Sequence, residues 1–230
     1  MKKYFFILLI TAVSTSCFAF YGKVTSQNGE MNFVGSLHLR DQENANYNFF
    51  CSVVLISPTK VLTAGHCIEG LGRNLYDDVY FLKAHPEFLR VGFSGKYYGV
   101  KSVHFTRSYF EASGRASEDL VLIELKTSVP NISPAQFFTG NYTTNLEMYM
   151  AAKGVKAKTK LLTAKRHGEA IVLETDGSVN GTCGGDSGGA LLTRVGNTWA
   201  LVGILMFDDD GENQICVRRN TISYGPRGHF

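Results

Sequence analysis

The sequence predicts an all-β protein of the barrel or sandwich type. Short apolar or alternating runs recur between turn-forming residues, and no long amphipathic helix pattern interrupts them. Glycine is abundant, with 24 residues, and proline is scarce, with 5, which is compatible with many short strands and tight turns. With 230 residues, 44% of them hydrophobic, the chain is long enough to bury a sizeable core.

Residues 1–19 are predicted to be a signal peptide. A positive start, Lys2-Lys3, precedes an apolar run from Tyr4 to Val13 that is too short to span a membrane comfortably. Small residues at Cys17 and Ala19 stand where a signal peptidase reads the chain. We therefore expect a secreted or periplasmic protein with no stable membrane anchor once the signal is cut.

This leader has two alternative interpretations. An uncleaved membrane anchor is disfavoured because the apolar run is short. A lipoprotein anchored through Cys17 is also disfavoured, because Ser14 stands where the bacterial lipidation pattern carries a leucine or a similar residue. Cleavage after Ala19 would make Phe20 the first residue of the mature chain.

The strand-like runs fall into two groups separated by a linker. A turn at residues 57–60 and a short helix or loop at 67–76 interrupt the first group. The linker is residues 128–134, which place two prolines among polar residues. We therefore predict two small β-barrels, spanning residues 20–130 and 131–230. The predicted strands are 33–39, 49–56, 79–84, 88–93, 97–105, 120–125, 146–153, 158–165, 169–175, 189–195, 199–206 and 214–217.

The most informative stretch is a glycine-dense loop, GTCGGDSGGAL, at residues 181–191. Glycines around Ser187 leave backbone amides unshielded and permit tight or left-handed turns. Two such amides aimed at one point form an oxyanion hole, which is a large term in acyl-transfer catalysis. A lone Gly-Asp-Ser-Gly is more often a surface turn, so the interpretation depends on residues elsewhere.

A base and a carboxylate stand upstream in a suitable order. His66 follows the apolar strand end Val61–Thr63, and Asp119 opens the apolar run 120–125. A serine hydroxyl needs a base within hydrogen-bond reach, and that base needs a buried carboxylate to fix its tautomer. Asp77 and Asp78 compete with Asp119 for the carboxylate role, but they lie in a polar, loop-like stretch.

Three motifs, TAGHC, EDLVLIEL and CGGDSGGAL, resemble those of the trypsin/chymotrypsin serine protease family and occur in the same chain order. The resemblance spans roughly residues 20–225. It implies two six-stranded antiparallel β-barrels with the active site in the cleft between them. It also implies that Ser187 is the nucleophile, His66 the base and Asp119 its orienting partner, with the amides of Gly185 and Ser187 as the oxyanion hole. No cofactor and no metal are expected.

Four cysteines remain once Cys17 leaves with the signal. An even number in an exported chain suggests two disulfides, and the residues alone allow three pairings. The resemblance implies Cys51–Cys67 and Cys183–Cys216. A zinc site is the alternative use of these residues, but no pair has the close CxxC spacing that such sites favour.

The resemblance assigns a further role to Asp186, which in the family pairs with the free amino group of the mature chain. Aligning residues 32–37 with the family's first core strand places Phe20-Tyr21-Gly22-Lys23 where the family begins with Ile-Val-Gly-Gly. We therefore expect that removal of the signal itself generates the activating terminus at Phe20. Phenylalanine, tyrosine and lysine at these positions depart from the family pattern.

The predicted specificity pocket also departs from the trypsin pattern. Gly181 stands where trypsin-like enzymes carry an aspartate, which argues against a strict Lys/Arg preference and for neutral residues before the scissile bond. An acidic run, Asp208–Asp210 followed by Glu212, is expected at or near the pocket rim. It either forms a solvated turn or attracts basic side chains of the substrate. The pocket residues expected from the resemblance are Gly181, Thr182, Met206, Phe207 and Asp208.

Charge gives no argument for nucleic acid or an anionic membrane. The formal charge of +3 falls to about +1 without Lys2 and Lys3, since 21 basic residues then face 20 acidic ones. The predicted function is an exported serine endopeptidase that forms an acyl-enzyme with a protein or peptide substrate. A monomer is expected, and a protein inhibitor is a further candidate partner. The rival hypothesis is a protease-like binding module that keeps the fold without the activity.

Overall fold

The computed structural model describes residues 20, 22–40, 46–69, 85–105, 119–167, 170–206 and 221–225. The all-β prediction is confirmed, because these ranges contain fourteen strands, one four-residue helix and one 3-10 turn. The helix α1 is His66–Glu69 and the turn is Pro86–Phe88. Within these ranges, no helix has the length and apolar character needed to cross a bilayer.

The first barrel is a closed ring of six antiparallel strands in the order β2-β3-β4-β7-β6-β5. The turn predicted at residues 57–60 joins β3 to β4, and β2 closes the ring by pairing with β5. Strand burial alternates or runs continuously where Val, Leu and Ile fill the interior. The strands are β2 Val34–Leu39, β3 Asn48–Ser57, β4 Lys60–Ala64, β5 Leu89–Phe93, β6 Lys96–Phe105 and β7 Leu120–Leu125.

The second half repeats this architecture. Six antiparallel strands pair in the order β9-β10-β11-β14-β13-β12, and β9 closes the cycle by pairing with both β10 and β12. Two short strands sit outside the cycle: β1 pairs with β10, and β8 pairs with β13. These strands are β1 Val24–Ser26, β8 Gln136–Phe137, β9 Glu147–Ala152, β10 Val155–His167, β11 Ala170–Thr175, β12 Ala190–Val195, β13 Thr198–Leu205 and β14 Thr221–Gly225.

Three of these strands are too short or too irregular in sequence to have been predicted. β1 and β8 are short edge strands, and β14 lies next to a segment that contains glycine and proline. β14 fills the gap between β11 and β13. The predicted strands 79–84 and 214–217 lie outside the described residues, as does most of the helix or loop predicted at 67–76.

Each barrel has its own apolar core. The core of the first barrel extends into β9, β12 and β13 through residues that include Ala151, Leu192 and Ile204, so the two barrels share packed surface. The core of the second barrel contains Met148, Met150 and Leu205, and it also buries Phe20. The first described residue of the chain is therefore held by the second barrel.

Candidate active site

His66 and Asp119 meet because β4 and β7 are neighbouring strands. Ala64 pairs with Leu120, so the residues that end β4 and open β7 lie at the same edge of the sheet. The His66 backbone amide donates to Asp119 Oδ1 at 2.5 Å, and His66 Nδ1 lies 2.6 Å from Asp119 Oδ2. Both carboxylate oxygens are thus occupied by one residue. Asp119, rather than Asp77 or Asp78, is the partner of His66 in the described part of the chain.

This arrangement suits the imidazole to proton transfer. Asp119 is only 1% exposed, and its bond to Nδ1 favours the tautomer that leaves Nε2 as the basic nitrogen. The imidazole itself remains partly exposed, with 31% of the side chain accessible.

Gly65 explains why the carboxylate can approach so closely. A Cβ at this position would lie 2.7 Å from Asp119 Oδ1, which is closer than real contacts allow. Two residues further on, α1 carries Cys67, whose disulfide with Cys51 ties the helix to β3. The predicted Cys51–Cys67 pairing is therefore confirmed. Among the described residues, one group lies close enough together to hold a metal ion: Cys51, His66 and Cys67. Its two cysteines are joined in this disulfide and therefore offer no free thiolates.

The serine loop docks directly on the hairpin that ends at His66. The Ser52 amide donates to the Ser187 carbonyl at 2.8 Å, and the Ser52 hydroxyl donates to the Gly185 carbonyl at 3.0 Å. Thr63 fixes Ser52 in turn, because its hydroxyl donates to the Ser52 carbonyl at 2.8 Å. The loop is thus bonded to β3 and braced by β4.

The space around Gly188 shows how closely the serine loop packs against β3 and β4. A Cβ there would lie 2.1 Å from the Ser52 carbonyl oxygen and 2.2 Å from Thr63 Oγ1, with the Ala64 amide nitrogen at 3.2 Å. Only a glycine allows the backbone next to Ser187 to rest on Ala64, two residues before His66. The residue after Ser187 therefore lies against the strand end that precedes His66.

The Ser187 hydroxyl and the His66 imidazole, which both lie in the described part of the chain, make no hydrogen bond to each other. Without substrate, catalytic hydrogen bonds are often long or poorly aligned, and they tighten only in the reactive complex. The backbone contacts, rather than a serine–histidine bond, set the position of Ser187 here.

The amides predicted to bind an oxyanion are available. Gly185 and Gly188 have φ values of 94° and 80°, left-handed conformations that reverse the chain on both sides of Ser187. Within the described residues, neither the Gly185 amide nor the Ser187 amide donates to a protein acceptor. Backbone donors left free beside a serine are what a developing oxyanion requires.

Asp186, between these glycines, is fully buried and bound on one oxygen only. Its Oδ2 accepts hydrogen bonds from the Phe20 amide at 2.8 Å and the Cys183 amide at 2.7 Å. Its Oδ1 is buried without a hydrogen-bond partner. Burial raises the pKa of Asp186 to about 7, although the two backbone donors and the Lys153 charge act in the opposite direction.

The Phe20 peptide amide thus contacts Asp186, the carboxylate that the resemblance expects to pair with a free amino group at Phe20. The Phe20 side chain is 2% exposed and packs with Met148 and Met150, so the bulk of a phenylalanine is accommodated by the second core. The Phe20 backbone has a positive φ of 62°, a left-handed conformation that is unusual for a residue with a side chain.

The specificity pocket is described only in part. Thr182 and Met206 are 3% and 7% exposed, and Gly181 is also buried. Phe207 and Asp208 lie outside the described residues, together with the rest of the acidic run. Cys183 is disulfide-bonded, and its predicted partner Cys216 likewise lies outside the described residues.

Sequence analysis did not identify the bonding roles of Ser52, Thr63 and Asn180. Ser52 and Asn180 bond residues far along the chain and stand outside the three quoted motifs, whereas Thr63, which opens the TAGHC motif, bonds Ser52. Asn180, which begins the sequon Asn180-Gly181-Thr182, is 4% exposed with both amide atoms hydrogen-bonded, so the folded protein leaves no room for a glycan there.

Comparison with known proteins agrees with this geometry. A family model described as Trypsin matches residues 20–222. The matched span begins at Phe20, the residue whose amide contacts Asp186. No curated protein matches the chain.

Proposed function

The chain belongs to the trypsin family of serine peptidases, and on that premise we propose that it is an exported serine endopeptidase with a Ser187–His66–Asp119 triad. The observation that carries the proposal is the His66–Asp119 pair, bonded through both carboxylate oxygens at the strand end on which the serine loop rests. A structural histidine would not need its carboxylate partner buried and its second nitrogen left accessible.

The proposed reaction proceeds in two halves. Ser187 Oγ attacks the carbonyl carbon of the scissile peptide bond while its proton passes to His66 Nε2, and the Gly185 and Ser187 amides bind the oxyanion. The tetrahedral species then collapses, the C–N bond breaks, and His66 delivers the proton to the leaving amine. Water attacks the resulting ester with His66 again as base, which releases the acid and restores Ser187.

Activation is proposed to depend on the amino group of Phe20. A buried carboxylate with one oxygen unpartnered is costly, and a free ammonium offers three donors and a compensating charge where the peptide amide offers one. Cleavage after Ala19 would create that ammonium beside Asp186. The ion pair would then hold the loop that presents the Gly185 and Ser187 amides.

A serine-directed probe tests the triad. We expect a fluorophosphonate to label the mature protein, and Ser187→Ala to abolish labelling while Ser178→Ala, which alters an exposed serine on the same segment, leaves it intact. Digestion of a peptide library then separates an endopeptidase from an esterase and gives the residue preferred before the scissile bond, which we propose is neutral. Intact folding with no labelling would instead favour the binding-module hypothesis.

The activation proposal has its own test. Chains that begin at Phe20 and chains that carry one added residue before it differ only in where the ammonium lies. We expect the extended chain to be labelled at least tenfold more slowly, since breaking a buried charge pair is worth a few kcal/mol. Equal rates would overturn activation by Phe20 without touching the triad, and amino-terminal sequencing of exported protein would identify the natural start.

A further inference from the structure

The segment that follows Phe20 is tied to the second barrel through one side chain. The Lys23 amide donates to Asn180 Oδ1 at 2.6 Å, and Asn180 Nδ2 donates to the Lys158 carbonyl at 2.6 Å. Asn180 is 4% exposed. Its carboxamide therefore forms a buried bridge between two backbone groups more than a hundred residues apart, which we name the Asn180 bridge.

The bridge lies where β1 separates from β10. The last register pair is Val24 with Ala157, and continuing that register would place Lys23 opposite Lys158. Asn180 instead stands between those two residues, because a side-chain carboxamide carries the same donor and acceptor as a peptide group. The strand pairing is thus continued by a side chain while the main chain turns away toward Asp186.

Gly22 shows that the turning chain is pressed against the bridge. A Cβ on Gly22 would lie 2.1 Å from the Val179 carbonyl oxygen and 2.4 Å from Asn180 Oδ1, and its φ of +101° is one that other residues rarely adopt. The contact is therefore between backbones, with no room for a side chain. Residues 22 and 23 are held against residues 179 and 180 both by this packing and by the Lys23 bond.

The other end of the bridge leads back to the same carboxylate. Asn180 lies three residues before Cys183, whose amide shares Asp186 Oδ2 with the amide of Phe20. The bridge thus fixes the spacing between two segments that both end on Asp186. A shift of either segment would separate the Phe20 nitrogen from that carboxylate.

We propose that Asn180 is a positioning residue for activation: by wedging β1 away from β10 it directs the Phe20 amino group onto Asp186. The inference rests on the activation proposed above. Without the bridge, Lys23 can pair with the Lys158 carbonyl directly, which would draw residues 20–22 along β10 and away from the serine loop.

The test compares chains that begin at Phe20 and carry Asn180→Ala or, as a matched control, Asn141→Ala, an exposed asparagine that is also part of a sequon. Two readouts are taken: the rate of fluorophosphonate labelling across pH, and the rate at which acetic anhydride modifies the Phe20 amine. We expect Asn180→Ala to label about tenfold more slowly near neutral pH, the effect of leaving a buried bond unmade.

The pH profile distinguishes positioning from general support of the fold. A weaker ammonium–carboxylate pair lowers the pKa of the amine, so the alkaline limb of the labelling profile moves to lower pH in Asn180→Ala. The Phe20 amine also becomes more reactive to the anhydride, while Asn141→Ala matches the unsubstituted chain in both readouts. An unchanged limb and an unchanged amine in a folded Asn180→Ala protein would overturn the proposal.

A second variant guards against loss of folding. In Asn180→Asp, a protonated carboxyl can accept from Lys23 and donate to Lys158, but an ionised one repels the Lys158 carbonyl. Its Tm should approach that of the unsubstituted chain at acidic pH and fall behind as the pH rises, and a pH-independent gap would contradict the bridge. If the unsubstituted chain is not labelled, the proposed function fails, whereas the amine readout still decides the role of Asn180.

Discussion

The Asp119 region of the first barrel and the Asp186 region of the second each bury a carboxylate beside a catalytic loop, yet they satisfy it differently. Asp119 receives two bonds from His66, one on each oxygen. Asp186 receives two bonds on Oδ2 and none on Oδ1. The first site is complete within the folded chain, and the second is incomplete as long as Phe20 offers only a peptide amide.

The difference indicates which part of the site is permanent and which is conditional. Asp119 and His66 lie on paired strands of one closed barrel, so their contact forms whenever that barrel folds. Asp186 depends on a residue 166 positions away whose charge changes when the chain is cut before it. A protein can regulate the second kind of contact by proteolysis, and it cannot regulate the first kind in this way.

Removing the charge of Asp119 should produce the largest effect on catalysis. Asp119→Asn keeps the shape of the side chain but can donate to Nδ1, which favours the wrong tautomer of His66. We expect kcat to fall roughly 10⁴-fold, as in the equivalent substitution of a serine protease triad, with little change in Tm. Asp176→Asn, on a partly exposed aspartate, serves as the control, and peptide hydrolysis is the measurement.

In a chain that continues before Phe20, Asp186 has no ammonium partner, and its burial should make the free energy of unfolding depend on pH. Because burial raises the pKa of Asp186 from 3.8 to about 7, its contribution to stability is fully present below about pH 4 and is lost as the pH rises through 7. The loss amounts to about 4 kcal/mol at most. Urea unfolding at several pH values measures it.

Asp186→Asn provides the contrast for that measurement. The variant carries no ionisable group at residue 186, so the difference in unfolding free energy between it and the unsubstituted extended chain should grow from pH 4 to pH 7. In chains that begin at Phe20 the ammonium compensates the carboxylate, and the same difference should shrink or reverse. If the difference in unfolding free energy varied with pH in the same way in the extended chains and in the chains that begin at Phe20, Phe20 and Asp186 would not be coupled.

The docking of the serine loop on the first barrel should be sensitive to a single methyl group. Gly188→Ala places a Cβ against the Ser52 carbonyl and Thr63 Oγ1, whereas Gly154→Ala, at the same φ of +80°, meets nothing within 4 Å. Both variants incur the left-handed strain of about 1 kcal/mol, and Gly188→Ala should lose about 2 kcal/mol more through the clash. Thermal unfolding and probe labelling give the two effects.

If the two glycine variants lost equal stability, the close contact between the serine loop and β4 would not exist in solution. If only Gly188→Ala lost labelling as well, the contact would be shown to position Ser187. That outcome would mean that two contacts position the serine loop. One is the uncharged contact of Gly188 with the first barrel, and the other is the proposed ion pair between Phe20 and Asp186.

Short motifs mark the three residues of the proposed triad. The residues around His66, Asp119 and Ser187 are constrained locally, by a strand end, a buried strand start and a glycine-rich turn, so each is recognisable within about ten residues. The alternation and turn pattern likewise predicted the two barrels and most of their strands. β1 and β14 escaped because their pairing with β10, β11 and β13, rather than their own composition, makes them strands.

The sequence by itself therefore determined the fold class, the order of the catalytic residues and the residue expected to face Asp186. The tertiary structure alone decided how the serine loop rests on Ser52 and Thr63, how Phe20 fits into the second core, and that Asn180 separates β1 from β10. The physical reason is range: motifs record contacts between near neighbours, whereas the Ser52 and Asn180 contacts join segments up to 157 residues apart, each through one side chain that no local pattern marks.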